Sequence, residues 1–98
     1  MRIVTVGKSS FVSGFRLAGV EGVEVEDSQQ AMGVISKLFE EQDLGLLLVS
    51  DDVTRPLTQE LTRLRSKKPV PLLYEVPAPG SRQEKVEYRD MLKQILGV

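Results

Sequence analysis

The chain has 98 residues, about one domain's length, and its 41% apolar and 28% charged side chains make the mixture of an ordinary soluble globule. Its 13 basic and 14 acidic residues give a net charge of −1, without the cationic surplus that nucleic-acid binding through phosphates demands. It has neither Cys nor His, which excludes disulfides, thiolate metal sites and Ser-His-Asp or Cys-His catalysis.

Ile3-Val4-Thr5-Val6 predicts a first strand, ended by Gly7 and too short for a signal-peptide core. A helix is expected from Ser9 or Ser10, either of which offers a capping hydroxyl. It carries Phe11, Phe15 and Ala18 at helical spacing, and Gly19 stands where a C-terminal cap belongs. Val23-Glu24-Val25 reads as a brief second strand. Asp27 or Ser28 should cap the next helix, whose Ala31, Val34, Ile35, Leu38 and Phe39 form one stripe.

Leu46-Leu47-Leu48-Val49, bounded by Gly45 and Ser50, has the unbroken apolarity of a strand buried on both faces, hence central in a parallel sheet. The whole run from Leu44 to Val49 falls far below the roughly 20 residues that span a bilayer. No direct membrane insertion is expected, and the chain reads as cytoplasmic. Leu57, Leu61 and Leu64 mark a third helix with Pro56 in its first turn. Residues 71–76 supply a fourth strand, with Pro71 at its start.

The organisation predicted is an α/β sheet domain over residues 1–76, a stiff Pro/Gly connector over 77–81 and a C-terminal helix within 82–98. The order βαβαβαβ with right-handed crossovers predicts a four-stranded parallel sheet, strand order 2-1-3-4, with helices on both faces. This is a shortened flavodoxin- or receiver-like fold.

Such sheets bind ligands at the carboxyl ends of their strands. Gly7-Lys8-Ser9 looks like the tail of a phosphate-binding loop, but the required earlier glycine is replaced by Arg2. A plain strand-to-helix turn accounts for it better. Asp51-Asp52 resembles a receiver phosphoacceptor, but Gly7-Lys8 stands where the companion carboxylates should be. An acidic residue near a helix start is also a favourable dipole partner. No catalytic, cofactor-binding or metal-ligating residue is identified, and no cofactor is expected.

The last helix is two-sided. Arg82, Lys85, Arg89 and Lys93 recur at spacings of three or four and form a basic stripe. Tyr88, Leu92, Ile95 and Leu96 form the neighbouring apolar stripe. The bland reading is a docked helix with a solvated outer face. The functional reading is an amphipathic helix that the connector could hold off the sheet, to lie along another helix or coiled coil.

Residues 3–20 closely resemble the opening of the V/A-type ATPase F subunits, most specifically in Gly14-Phe15-Arg16-Leu17-Ala18-Gly19. The rest of the chain agrees in pattern: length, strand order, apolar third strand and a final helix ending in Gly97-Val98. The resemblance implies a non-catalytic central-stalk (rotor) component of a proton- or sodium-translocating ATP synthase/ATPase. It further implies binding to the coiled coil of the D subunit, influence on the coupling of ATP hydrolysis and synthesis, and contact with the catalytic head. The location implied is peripheral to the membrane, in the soluble V1/A1 sector, and the longer C-terminal extension of some relatives is expected to be absent. Partner contacts are expected at Arg82, Lys85, Arg89, Leu92, Lys93 and Leu96, and at Arg16, which could pair a carboxylate internally or on a partner. The alternative is a stand-alone receiver-like signalling module.

Overall fold

Four consecutive β-branched side chains, Ile3, Val4, Thr5 and Val6, draw residues 2–7 into an extended segment that can bury both of its faces. In the computed structural model, which describes residues 2–68, 70–78, 94 and 95, this segment is β1 (Arg2–Gly7). It is followed by α1 (Ser9–Arg16), β2 (Glu21–Glu24), α2 (Ser28–Leu38) and β3 (Leu44–Ser50). Then come α3 (Asp51–Thr54), a 3₁₀ turn (Arg55–Leu57), α4 (Thr58–Lys67) and β4 (Leu72–Val76). All pairings are parallel and the strand order is β2-β1-β3-β4, as the sequence predicts.

β3 lies between β1 and β4, which is why it is apolar throughout. Its Leu44, Leu47 and Val49 face the larger core, with Val4 and Val6 of β1 and Leu73 of β4. There α2 contributes Ala31, Ile35 and Leu38, and α3 and α4 contribute Val53 and Leu61. Each fully buried aliphatic side chain of this kind is worth about 1.5–3 kcal/mol. The opposite face is served by α1, whose Phe11, Val12 and Phe15 pack on Leu48 and Val76. The Phe11 and Phe15 rings are 5.0 Å apart and tilted by 55°, a geometry aromatic pairs favour.

The caps follow sequence logic in one helix and not in another. Asp27 accepts from the Gln30 N–H at 2.8 Å, while Gln30 Oε1 accepts from the Glu26 N–H at 2.8 Å, a reciprocal lock on the start of α2. In α1 the cap is instead Lys8, with no side-chain bond; neither Ser9 nor Ser10 caps, since both lie inside the helix. α1 ends at Arg16, so Ala18 falls beyond it and is exposed. Gly19 takes φ +84°, the left-handed conformation expected of it.

Several further boundaries differ from the sequence reading. β2 comprises Glu21–Glu24 rather than residues 23–25, because an edge strand pairs through its backbone and carries no apolar signature in Glu21-Gly22. β3 begins two residues early, with Gly45 as an extra residue between the pairs Arg2↔Leu44 and Ile3↔Leu46, a bulge. The third helix is divided: a short α3 follows β3 directly, and the turn holding Pro56 separates it from α4. Pro56 has no N–H to continue the α3 ladder. Leu61 is fully buried while Leu57 and Leu64 are only partly so. Pro71 lies just ahead of β4.

Of the expected C-terminal helix, Gln94 and Ile95 are described and are helical. Ile95 packs against the Phe11–Val12–Phe15–Leu48–Val76 core, so at this residue the chain touches the sheet rather than standing off it. The rest of that helix and Pro79, Gly80 and Ser81 of the connector lie outside the described residues.

Candidate partner-binding surface

The carboxyl ends of the strands are built for packing. A Cβ placed on Gly7 would lie 2.6 Å from Phe11 Cδ2 and 2.9 Å from Ser50 Cβ. The glycine is therefore needed to bring α1 onto β3, which is reason enough for it without a phosphate. Ser50 Oγ donates to Asp52 Oδ1. Asp51 Oδ1 accepts from the Ala78 N–H at 3.0 Å, and Arg55 Nη2 lies 3.9 Å from Asp51 Oδ2. Both aspartates highlighted by the sequence are thus engaged internally, and Asp51 ties the start of the connector to the end of β3. Among the described residues, no three His, Cys, Asp or Glu side chains converge as metal ligands.

At the opposite end of the sheet is a cluster that sequence reasoning missed. Arg2 donates to Glu21 through Nε at 3.0 Å and through Nη2 at 2.8 Å, and through Nη1 to Glu41 at 2.5 Å and Asp43 at 3.2 Å. One guanidinium joins the starts of β1 and β2 to the segment between α2 and β3. The bidentate bond holds the Glu21 carboxyl below its ordinary range, and the two glutamates push the Arg2 guanidinium further up. Only the partners' sequence distances, 19 to 41 residues, hid it.

Arg16 Nη1 is 3.7 Å from Glu24 Oε1, and both side chains are about half exposed. Of the two pairings open to Arg16, this internal one leaves part of the guanidinium facing solvent. Its neighbours in the motif divide sharply: Phe15 is core, whereas Leu17 is 92% exposed. The other expected contact residues, Arg82, Lys85, Arg89, Leu92, Lys93 and Leu96, lie outside the described residues.

A further surface appears only in three dimensions. Leu72, Tyr74 and Val76 alternate onto the α1 side of β4. Val76 is buried by α1, but Leu72 and Tyr74 are 65% and 54% exposed. Cross-strand neighbours Leu46 and Leu48 continue the apolar floor. Leu46, Leu48, Tyr74, Gln94 and Ile95 line a groove of about 370 Å³. The sequence marks Leu72 and Tyr74 as strand residues; which of them α1 would leave uncovered depends on where the helix crosses the sheet.

No described helix is long and apolar enough to cross a membrane. The family model described as ATP synthase (F/14-kDa) subunit matches residues 3–95. The A-type ATP synthase F subunit of Methanosarcina acetivorans is 31% identical over 99 residues, which span 100% of this chain and 96% of the relative. The protein of the same name from Pyrococcus furiosus is 34% identical over 104 residues, again 100% of this chain and 96% of the relative. That of Thermoplasma acidophilum is 26% identical over 96 residues, covering 98% and 91%. With the expected strand order in place and the match running almost from end to end, the chain belongs to the family of ATP synthase (F/14-kDa) subunits.

Proposed function

We propose that this chain is a non-catalytic central-stalk component of a V/A-type ATP synthase/ATPase, which binds the coiled coil of the D subunit and modulates the coupling of ATP synthesis and hydrolysis. The observation that carries the reading is the family match over residues 3–95, which takes in every strand of the sheet and the helical Ile95. Two chemical features support it. The chain lacks imidazole and thiol altogether, and the carboxylates at the strand ends bond to Ala78 and Ser50 within the chain. Work without such groups is done by surfaces: apolar area supplies affinity, and charge sets orientation and encounter rate.

The decisive experiment is co-expression of the full chain with the D subunit of the same complex. A stable binary complex on size exclusion is expected. Separate elution of two folded proteins would overturn the assignment. As a soluble part of a larger enzyme, the chain would lie on the cytoplasmic side, peripheral to the membrane.

A further inference from the structure

We infer that Arg65 guards the outer edge of β4, and that without its guanidinium the chain pairs edge to edge with a second copy of itself. β4 is the last strand of the sheet, and among the described residues no strand pairs with its outer side. Its sequence, Leu72-Leu73-Tyr74-Glu75-Val76, is aliphatic or aromatic except for one glutamate, a composition that favours strand pairing. Leu72 and Tyr74 are more than half exposed beside that edge. A strand added there would find apolar side chains to cover as well as backbone groups to bond, so the edge needs a device that keeps it single. This concerns the chain before assembly and stands whether or not the D subunit is its partner.

That device is built from three elements. Arg65 of α4 reaches β4, where its Nη2 donates to the Leu73 carbonyl at 3.1 Å and fills an acceptor that a fifth strand would use. The same nitrogen lies 3.7 Å from Glu75 Oε1. The other oxygen of that carboxylate accepts from the hydroxyl of buried Thr54, in α3, at 3.0 Å. Thr54 thus fixes Glu75, and Glu75 holds the guanidinium against the strand. An incoming strand would have to displace Arg65 from Leu73 and leave the Glu75 carboxylate beside a new interface without its cation, which is costly. Pro71, immediately before β4, has no N–H to offer and blunts the start of the same edge. The other edge is protected differently: β2 has four residues and carries Glu21 and Glu24 at its ends. β4 is longer and more apolar, and it takes its protecting charge from α4.

The test is sedimentation velocity of the full chain and of Arg65→Ala over one concentration series. Arg65 is partly exposed and water can bond to the Leu73 carbonyl in its place, so the variant is expected to fold, which circular dichroism checks. The parent should stay monomeric, while Arg65→Ala shifts toward twice the parent's mass as the concentration rises. Adding Leu72→Lys to that variant should return the monomer, because a charge beside an edge strand opposes pairing. Arg65→Met, which keeps an unbranched stem and lacks the donors, gives the same reading if Arg65→Ala does not fold. A parent that is already dimeric, a folded Arg65 variant that stays monomeric throughout, or a dimer unaffected by Leu72→Lys would each overturn the inference. None of these outcomes bears on binding to the D subunit, which co-expression tests separately.

Discussion

Gly7 shows how a residue that suggests chemistry in the sequence can owe its identity to packing. A methyl group there would press on the Phe11 ring and on Ser50 Cβ, of which the latter is fixed to a strand. Gly7→Ala should therefore destabilise the fold by about 1–3 kcal/mol, seen as a lower urea midpoint with an unchanged m value; an unshifted midpoint would refute this account. Arg2 is the counterpart at the other end of the sheet. Because the folded Glu21 carboxyl titrates below the unfolded one, the unfolded chain takes up protons first as the pH falls. The pairing thus adds stability above the ordinary carboxylate range and loses it as the pH drops below about 4 toward the folded value. Arg2→Ala should lower stability at neutral pH and make its fall on acidification shallower. Parallel acid limbs for parent and variant in a series of denaturation curves would exclude this role.

At the scale of elements, legibility follows the burial of the strand or helix concerned. β3 and α2 are readable because each buries a continuous apolar pattern, and Asp27 announces its own cap. β2 is displaced because an edge strand of Glu and Gly draws its order from backbone pairing with β1, which periodicity does not register. The break between α3 and α4 can be located from Pro56, although the helical turn ahead of it has too few residues to show a period. Among the candidate contacts, Arg16 is visible as a charge within a motif, whereas Leu72 and Tyr74 need the position of α1 to be distinguished from buried Val76. The basic stripe of the terminal segment gives a prediction at this level. Arg89→Glu with Lys93→Glu should weaken binding to the D subunit several-fold, mainly through slower association, with thermal stability nearly unchanged. Surface plasmon resonance separates the rates; an unaltered association rate would move the charged contact elsewhere.

For the whole molecule, the two faces of the sheet are unequally clothed. Among the described residues, one carries α2, α3 and α4; the other carries α1 and, at one point, Ile95. On the β4 side of the second face, Leu72 and Tyr74 are more than half exposed. The same architecture bears on the receiver alternative, since the strand-end aspartates are bonded within the chain and Lys8 follows β1. Incubation with Mg²⁺ and a small phosphodonor should leave the intact mass unchanged, whereas a stable gain of about 80 Da would restore the signalling reading. The bond between Asp51 and Ala78 has a mechanical corollary. Tension arriving along the polypeptide from its carboxyl-terminal side meets a clamp rooted at the end of β3, two residues after the last strand. Before any ladder bond between β3 and β4 is pulled, this one contact has to part.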